Sequence, residues 1–391
     1  MIDIKIPEDC CGCYSCVQRC PKHCIHMIED FEGFNYPKVD KSSCINCGIC
    51  ESVCPQLHKL PIKTPLSCYA AKHHSIQVQL KSSSGGIFSA LAEFVLKNNG
   101  VVFGAAFDKN WNVVHKYIEH IEQLDELRMS KYVQSIIGNS YKEAETFLQA
   151  NRMVLFVGTP CQIHGLKLFL KKDYKNLLAV DFVCHGVPSK KVWQKYLKEC
   201  IIRKIKFPIQ NIQFRNKRLG WETYSFTIQI DSTKSTQNNN KNSSLILSNI
   251  SNEGINETLH KNSFLRGFIH DLYLRPSCYA CKNKGFSSGS DITLADFWGI
   301  KETYPHLFDK NGVSCFTVNT FQAKEYLTKI DIEKYQVNFE EALRFNPSFI
   351  NSVKRPPFRK YFFKLMNKIA FKRLVLFGQI YNKMLRIIRI D

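Results

Sequence analysis

The stretch VLFVGTPCQIHGL, residues 154–166, changes from an apolar run to a helical pattern within a few positions. Residues 153–157 predict a buried strand, and residues from about 162 to 171 predict the helix that follows it. Cys161 lies at the junction between the two. Ligands of α/β proteins bind at such junctions, where strands end and helices begin. The stretch therefore indicates a fold class and a candidate site together.

The neighbouring segments repeat this alternation. Apolar runs at 101–107 and 177–183 predict further strands, and a helix is predicted over about 189–200. Two more junction loops are KSSSGG, residues 81–86, and CHGVPS, residues 184–189. The serine- and glycine-rich loop suits a phosphate at a helix N-terminus, although a serine-rich cap without a ligand has the same sequence. Single helices between apolar strands indicate an α/β domain with a mixed, largely parallel sheet.

Two copies of one cysteine pattern stand at the N-terminus. The pattern is C-x2-C-x2-C-x3-C-P, at residues 10–21 and again at 44–55. In dicluster ferredoxins, three closely spaced thiolates bind one 4Fe-4S cluster and the fourth cysteine reaches the other cluster. Zinc sites usually pair two C-x2-C knuckles, a spacing that neither run has. The predicted ligands are Cys10, Cys13, Cys16 and Cys54 for one cluster, and Cys44, Cys47, Cys50 and Cys20 for the other.

Composition limits the remaining classes. No apolar stretch long enough to span a membrane occurs, and the N-terminus lacks a secretory pattern, so we expect a cytoplasmic protein. In that compartment, 17 cysteines favour metal binding over disulfides. The formal net charge of +20 is partly offset by anionic cofactors, since each oxidised cluster with four thiolates carries about −2. Nucleic-acid binding has no supporting motif.

The chain divides into three predicted segments. Residues 1–60 predict an α+β dicluster ferredoxin-like module, with two strands joined at Asp30 to Gly33. Residues 66–350 predict the α/β domain, with a surface insertion at about 232–263 that is rich in Asn and Ser and could carry one hairpin around residues 245–247. Residues 354–391 hold eleven Lys or Arg and one acid, in a basic amphipathic pattern. This tail could pack on its own domain or a partner, or lie on the inner membrane face as a peripheral contact.

Seven segments resemble a known family in their order along the chain. They are SSSGGIFSAL, KYVQS, VLFVGTPCQIHGL, VDFVCHGVPS, FRNKRLGW, LRPSCYAC and DITLADFWGI, between residues 82 and 300. They resemble the bacterial branch of the coenzyme F-420 hydrogenase/dehydrogenase beta-subunit family, which carries an N-terminal 4Fe-4S dicluster domain. The resemblance implies a flavoprotein with FAD in the α/β domain. It places Ser83, Ser84, Gly85 and Gly86 near the FAD phosphates, with Lys131, Tyr132, Gln134, Thr159 and Gln162 as further cofactor contacts.

Four cysteines of the main domain occupy positions in these segments: Cys161, Cys184, Cys278 and Cys281. Two of them follow predicted strands, and the C-x2-C pair could complete the four thiolates of a third 4Fe-4S cluster. Other interpretations remain open: a Cys161 nucleophile activated by His164, a zinc site, or unrelated buried thiols. His185, Arg215 and Lys217 are candidates for catalytic, substrate or flavin contacts, and each is equally compatible with a structural role.

These cofactors together predict a redox function. Clusters pass single electrons and a flavin accepts one or two, so a one-electron donor can drive a two-electron reduction. We expect an oxidoreductase that passes electrons from a ferredoxin-like donor through the clusters to FAD and on to an unidentified small molecule. The alternative is an electron-transfer adaptor for a partner enzyme. A third interpretation makes the clusters structural in cell-surface polysaccharide biosynthesis, a genomic setting in which this branch is often found.

Overall fold

The protein is described here by a computed structural model over residues 1–205, 207–231, 250–251 and 254–388. Its strands are β1 (Ile25–Glu29), β2 (Asn35–Val39), β3 (Ser67–Lys72), β4 (Val101–Phe107), β5 (Val113–Ile118), β6 (Val154–Gly158), β7 (Leu177–Phe182), β8 (Ile209–Asn216), β9 (Ser225–Ile230), β10 (Ile250–Ser251), β11 (Gly254–Thr258), β12 (Ile292–Asp296), β13 (Ser314–Val318) and β14 (Glu333–Gln336). Its α-helices are α1 (Ser15–Arg19), α2 (Ile49–Ser52), α3 (Ile76–Leu80), α4 (Ile87–Lys97), α5 (Leu124–Leu127), α6 (Ser140–Gln149), α7 (Pro160–Leu170), α8 (Lys190–Tyr196), α9 (Ser263–Ile269), α10 (Ile300–Thr303), α11 (Phe321–Leu327), α12 (Phe339–Phe345), α13 (Arg359–Leu365) and α14 (Phe371–Ile388).

The main sheet has eight strands in the order β14-β3-β13-β12-β7-β6-β4-β5. The four central strands β12, β7, β6 and β4 are parallel to one another, and the strands on both sides pair antiparallel. Every residue of β6 is buried, as expected for a strand covered on both faces. The predicted mixed α/β sheet is confirmed, with its parallel part confined to the centre.

The helix after β6 begins two residues earlier than predicted. Thr159 and Gln162 form a reciprocal capping box, in which the Thr159 backbone N–H donates to Gln162 Oε1 at 2.9 Å. Pro160 fits the first helical position because its missing N–H would have no helical partner there. Helix α7 therefore starts at the edge of the sheet where the parallel strands end.

A second, antiparallel sheet has the order β10-β11-β9-β8. Its apolar face packs with α8 and α9 around Trp193, Phe214 and Phe264. Strand β11 lies within the segment predicted as a surface insertion, so the end of that segment is part of the core instead. The hairpin predicted around residues 245–247 lies outside the described residues.

The two ends of the chain also have defined places. At the N-terminus, β1 and β2 form the predicted hairpin, with Ile25 opposite Val39 and Glu29 opposite Asn35. At the C-terminus, α14 buries Leu374 and Val375 in the core shared with the second sheet. Among the helices of the described ranges, none has both the length and the apolar character needed to cross a bilayer.

Candidate functional site

Two small cavities in the N-terminal module are lined by cysteines. The one that we name the inner cysteine cavity is lined by Cys10, Cys13, Cys16 and Cys54. The one that we name the outer cysteine cavity is lined by Cys20, Cys44, Cys47 and Cys50. Each cavity thus takes three cysteines from one run and the fourth from the other, which is the grouping that the spacing predicts. Cys11 and Cys24, outside the spacing pattern, also lie at the cavity walls.

The environment of these sulfurs suits iron. Burial, followed by the nearby Cys13, Cys10 and Cys54, raises the pKa of Cys16 well above its ordinary range. Such sulfurs become thiolates when metal cations supply compensating charge. The backbone N–H of Ile2 lies 3.2 Å from Cys50 Sγ, and a hydrogen bond to sulfur of this kind adjusts the potential of a bound cluster. The residues present therefore fit one 4Fe-4S cluster in each cavity.

The inner cysteine cavity lies directly against helix α7. Ser15 Oγ donates to the carbonyl of Gly165 at 2.9 Å. A Cβ added at Gly165 would lie 2.7 Å from Ser15 Oγ and 3.0 Å from Cys13 Cβ, so only glycine permits this approach. Gln18 makes a second contact of the module, with helix α6, since its Oε1 accepts from the backbone N–H of Tyr141 at 3.1 Å. One helix therefore begins at the sheet edge and passes the inner cavity one turn later.

A larger cavity of about 440 Å³ lies where the parallel strands end. A volume of this size is typical of cofactor and small-molecule sites. The predicted residues that line it are Ser83, Ser84, Gly86, Lys131, Tyr132, Thr159, Gln162, Cys184, His185 and Arg215. Most of the predicted cofactor contacts thus share one cavity, which we name the sheet-edge cavity.

Three predicted residues do not line the sheet-edge cavity. Gly85 packs beneath the serine loop, where an added Cβ would lie 2.4 Å from the carbonyl oxygen of Ala71. Gln134 turns to the N-terminal module, and its Nε2 donates to the carbonyl of Cys11 at 3.0 Å. Lys217 lies behind the loop, and its Nζ donates to the carbonyl of Ser84 at 2.5 Å. Gly85 and Lys217 therefore support the loop, and Gln134 belongs to the contact between the domains.

Two basic side chains, Lys131 and Arg215, are among the polar residues that line the sheet-edge cavity. Burial lowers the pKa of Lys131 to about 7, and its Nζ donates to the carbonyl of Arg128 at 2.9 Å. Arg215 pairs with Asp296, but its Nε and Nη2 are buried and have no hydrogen-bond partner among the described residues. Unpaired buried donors cost free energy unless a ligand accepts from them. These groups fit an anionic cofactor that has carbonyl or phosphate oxygens.

Two histidines line the sheet-edge cavity, and the sequence predicted only one of them. His185 was predicted from its motif, and its Nε2 lies 2.6 Å from Asp271 Oδ1. His115 was missed, although its place in alternating strand β5 indicated an inward side chain. Burial lowers the pKa of His115 to about 4, and its Nε2 donates to the carbonyl of Val157 at 3.0 Å. His115 is therefore neutral near pH 7 and able to act as a fixed hydrogen-bonding group.

Three of the four cysteines predicted for a third cluster lie together. Burial, followed by the nearby Cys278, raises the pKa of Cys184 to about 12, and Cys281 contributes in the same direction. The backbone N–H of Val187 lies 3.4 Å from Cys278 Sγ. The C-x2-C turn and the loop after β7 thus bring Cys184, Cys278 and Cys281 into one region of the main domain.

The fourth predicted cysteine, Cys161, has other neighbours. Its Sγ lies 3.2 Å from Thr159 Oγ1. A side-chain hydrogen bond with Cys13 lowers the pKa of Cys11, but a hydrogen bond with Cys161 together with burial raises that pKa well above its ordinary range. The structure therefore places Cys161 beside the inner cysteine cavity, and its grouping with the other three cysteines stays a prediction. His164 turns to Asn283, with 2.6 Å between Nδ1 and Oδ1, so the contacts of Cys161 include no base.

The paired cysteine cavities beside a sheet-edge cavity define an iron-sulfur electron-transfer protein of the oxidoreductase class. Comparisons agree with this class. Residues 9–57 match the family described as "4Fe-4S dicluster domain", and residues 151–342 match the C-terminal part of the family described as "Coenzyme F420 hydrogenase/dehydrogenase, beta subunit". The chain belongs to the coenzyme F420 hydrogenase/dehydrogenase beta-subunit family, in the form with an N-terminal 4Fe-4S dicluster domain.

Individual relatives are similar over parts of the chain. The coenzyme F420-dependent sulfite reductase of Methanocaldococcus jannaschii is 28% identical over 193 residues, which are 48% of this chain and 29% of that protein. A protein named ferredoxin 7Fe, from Hydrogenibacillus schlegelii, is 46% identical over 52 residues, which are 13% of this chain and 60% of that protein. The chain thus spans less than two thirds of either relative. A chain of the F420-reducing [NiFe] hydrogenase complex of Methanosarcina barkeri aligns with a TM-score of 0.45 at 15% identity, over 82% of this chain and 92% of that one.

Proposed function

We propose that the chain is an iron-sulfur flavoprotein oxidoreductase, which takes electrons from a ferredoxin-like donor and delivers them to FAD in the sheet-edge cavity and on to a small-molecule substrate. The observation that carries this proposal is helix α7. Its capping residues Thr159 and Gln162 line the sheet-edge cavity, while Gly165 touches Cys13 of the inner cysteine cavity. In this proposal, a single helix would connect the flavin site with the nearest cluster site, which supports electron transfer between them.

The residues around the sheet-edge cavity have separable roles in this proposal. The serine loop at the N-terminus of α4 would hold phosphates, because Gly86 adopts a left-handed conformation (φ +95°) that opens the helix end. Arg215 would donate to flavin oxygens through its two free nitrogens. Lys131 is the buried group able to hold or release a proton near pH 7. A bound flavin would supply both one-electron and two-electron chemistry.

We also propose a third 4Fe-4S cluster at Cys184, Cys278 and Cys281. The nearness of Cys278 and Cys281 to Cys184 supports it, and Cys161 is the fourth ligand that we propose. Anaerobic purification with iron, sulfide and flavin counts tests the cofactor set directly. About 12 Fe per chain supports three clusters, and about 8 Fe leaves only the two of the N-terminal module.

The flavin site is tested by removing the free guanidinium donors. We expect Arg215→Met to lower flavin affinity at least tenfold, because two buried donors and one charge are lost. Arg218→Met is the matched control, since Arg218 is exposed and follows three positions later. Equal flavin retention by both variants would place the flavin elsewhere, and absence of flavin from the wild-type protein would reject the proposed function.

The second candidate function is an electron-transfer adaptor for a partner enzyme. It is favoured by one finding: the segment shared with the sulfite reductase covers only 29% of that relative. Chemistry on the substrate of that relative can therefore lie outside the shared part. The assay is turnover by the purified protein with a chemical reductant. Reduction of its flavin without turnover of any tested small molecule supports the adaptor, and turnover supports the enzyme.

For location, we propose that the tail contacts an anionic membrane surface. Leu376, Ile380 and Met384 lie on the side of α14 opposite its buried side, and each is between 45% and 57% exposed. Exposed Lys372 and Arg373 stand on the same helix. A second copy docking on this face by two-fold symmetry would bring these cations together, which is unfavourable. Anionic headgroups complement them, while the apolar side chains enter the interface.

Sedimentation with lipid vesicles tests this location. We expect the full chain to bind phosphatidylglycerol-containing vesicles at least tenfold more tightly than pure phosphatidylcholine vesicles, and Ile380→Glu to lose that binding. The matched control is Phe321→Glu on α11, where the native side chain is 78% exposed. Absence of vesicle binding, or dimer formation that Ile380→Glu abolishes, would overturn the proposal.

A further inference from the structure

Arg275 is a fully buried cation at the contact between the N-terminal module and the α/β domain. It is 1% exposed. Its Nε donates to the carbonyl of Cys10 at 2.7 Å, and its Nη2 donates to the carbonyl of Asn35 at 2.9 Å. Its Nη1 donates to Gln134 Oε1 at 3.0 Å. A Cβ at Gly12 would lie 2.8 Å from Nη1, so the guanidinium also touches the cysteine loop itself.

All three of these acceptors are neutral. Among the described residues, no carboxylate lies within ion-pair distance of Arg275. Arg359 provides the contrast, because it is also buried but is paired with Glu32 through two hydrogen bonds. Burial acts to lower the pKa of Arg275, yet Cys10 and Tyr36 raise it, so the group stays charged. A buried charge is costly unless something of opposite sign compensates it.

The nearest anion in the loaded protein would be a cluster. An oxidised 4Fe-4S cluster with four thiolates carries about −2, and one added electron makes it about −3. The inner cysteine cavity has buried Cys10, Cys13 and Cys16, whereas Cys47 of the outer cavity is exposed. Burial penalises the more highly charged reduced state, so solvent exposure alone would make the inner cluster the harder one to reduce.

We propose that Arg275 reverses this order: its uncompensated charge raises the reduction potential of the inner cluster above that of the outer cluster, so that electrons accepted at the solvent-facing side move inward. This inference rests on the proposed binding of one cluster in each cavity. Arg275 would act only through the effect of its charge on the potential of the cluster, and it takes no part in making or breaking bonds. The direction of electron flow is thereby set by one side chain at the contact between the domains.

The backbone of the same residue is linked to the third cysteine group. Cys278 lies three residues after Arg275, and its backbone N–H donates to the Arg275 carbonyl at 2.9 Å. The Arg275 backbone N–H donates to the carbonyl of Val187 at 2.9 Å, and the Val187 N–H lies 3.4 Å from Cys278 Sγ. Arg275 therefore connects the loop of the inner cysteine cavity with the segment that carries Cys278. A cation at that place stabilises the reduced state of the inner cluster relative to that of the outer cluster.

The test is a redox titration of the full-length, anaerobically purified protein, followed by electron paramagnetic resonance. Cys47→Ser identifies the signal of the outer cluster. In the wild-type protein we expect the inner cluster to have the higher potential. Arg275→Gln should lower that potential by an amount equal to at least a tenfold change in its reduction equilibrium, or about 59 mV for one electron. Arg275→Lys keeps the charge and should retain most of the wild-type value.

The control removes a buried arginine without changing the net charge. The double variant Arg359→Met/Glu32→Gln deletes the neighbouring ion pair, so both potentials should stay at their wild-type values. A higher potential at the outer cluster of the wild-type protein would overturn the inference, even if no Arg275 variant folds. The inference would also be overturned if Arg275→Lys lowered the potential of the inner cluster as far as Arg275→Gln does, because the geometry of the side chain and not its charge would then set that potential. Iron counts near zero would instead reject the proposed function itself.

Discussion

The ion pair between Arg359 of the tail and Glu32 of the module hairpin is expected to hold the two ends of the chain together. Their side chains are 3% and 10% exposed, and Nη1–Oε1 and Nη2–Oε2 are 2.9 and 2.5 Å apart. Arg359 Nη2 also donates to the carbonyl of Leu274 at 2.8 Å. Arg359→Met would leave the Glu32 carboxylate buried without a partner, which typically costs about 3–5 kcal/mol of unfolding free energy.

Glu32→Gln should lower the free energy of unfolding by less, about 1–3 kcal/mol, because the amide still accepts one hydrogen bond and Arg359 keeps its hydrogen bond to the Leu274 carbonyl. The double variant should be more stable than the sum of the two single losses by about 1–3 kcal/mol, since it removes both charges together. Urea denaturation followed by circular dichroism and by cluster absorbance measures these values in the holoprotein. The reasoning is refuted if Arg359→Met loses under about 1 kcal/mol, or if the two single losses simply add.

Three further changes test the site. Gly165→Ala should weaken docking of the module by about 1–3 kcal/mol, because the methyl group meets Ser15, and faster cluster loss to a chelator would reveal it. Cys278→Ser should lower iron from about 12 to about 8 per chain, and a variant that keeps about 12 Fe would show that Cys278 is not a ligand of the third cluster. Lys131 has a folded pKa of about 7, below its unfolded value of 10.5, so its burial penalty is fully present below pH 7 and fades as the pH rises towards 10.5. The free energy of unfolding of Lys131→Met, taken relative to wild type, should therefore be higher at pH 6 than at pH 10 by up to about 4 kcal/mol. Urea denaturation at both pH values measures this difference, and a difference that does not change with pH would contradict the lowered pKa of Lys131.

Local patterns allowed much of the fold to be predicted. Strand β4 was predicted with its observed bounds, because a run of apolar residues between turn signals is sufficient for a buried strand. The cysteine spacing predicted which sulfurs share each cavity of the module, because the short chain between ligands leaves few geometries. Helix α7 began earlier than expected because Thr159, Pro160 and Gln162 make a local cap that the apolar pattern alone did not show.

The sequence did not predict how the N-terminal module and the α/β domain contact each other. Cys161 and Cys184 both follow central strands and stay predicted partners, whereas the contact of Cys161 with Cys11 of the module was not predicted. Gln134 lies between Val133 and Ser135, which line the sheet-edge cavity, yet its own side chain points the other way. Alternation along an extended segment predicts such opposite directions, but the partner on the far side becomes known only once the domains are placed.

Gly165 has a consequence for how this protein can be rebuilt or can evolve. Dicluster modules are short and nearly self-contained, which suggests that they could be exchanged between enzymes like interchangeable parts. Here the module seats its Cys13–Ser15 turn on a helix that has no side chain at the point of contact. A replacement module with a bulkier turn would not dock on helix α7 at Gly165, however well it folds and binds iron. A residue that neither binds nor reacts thus decides which electron-carrying modules this domain can accept.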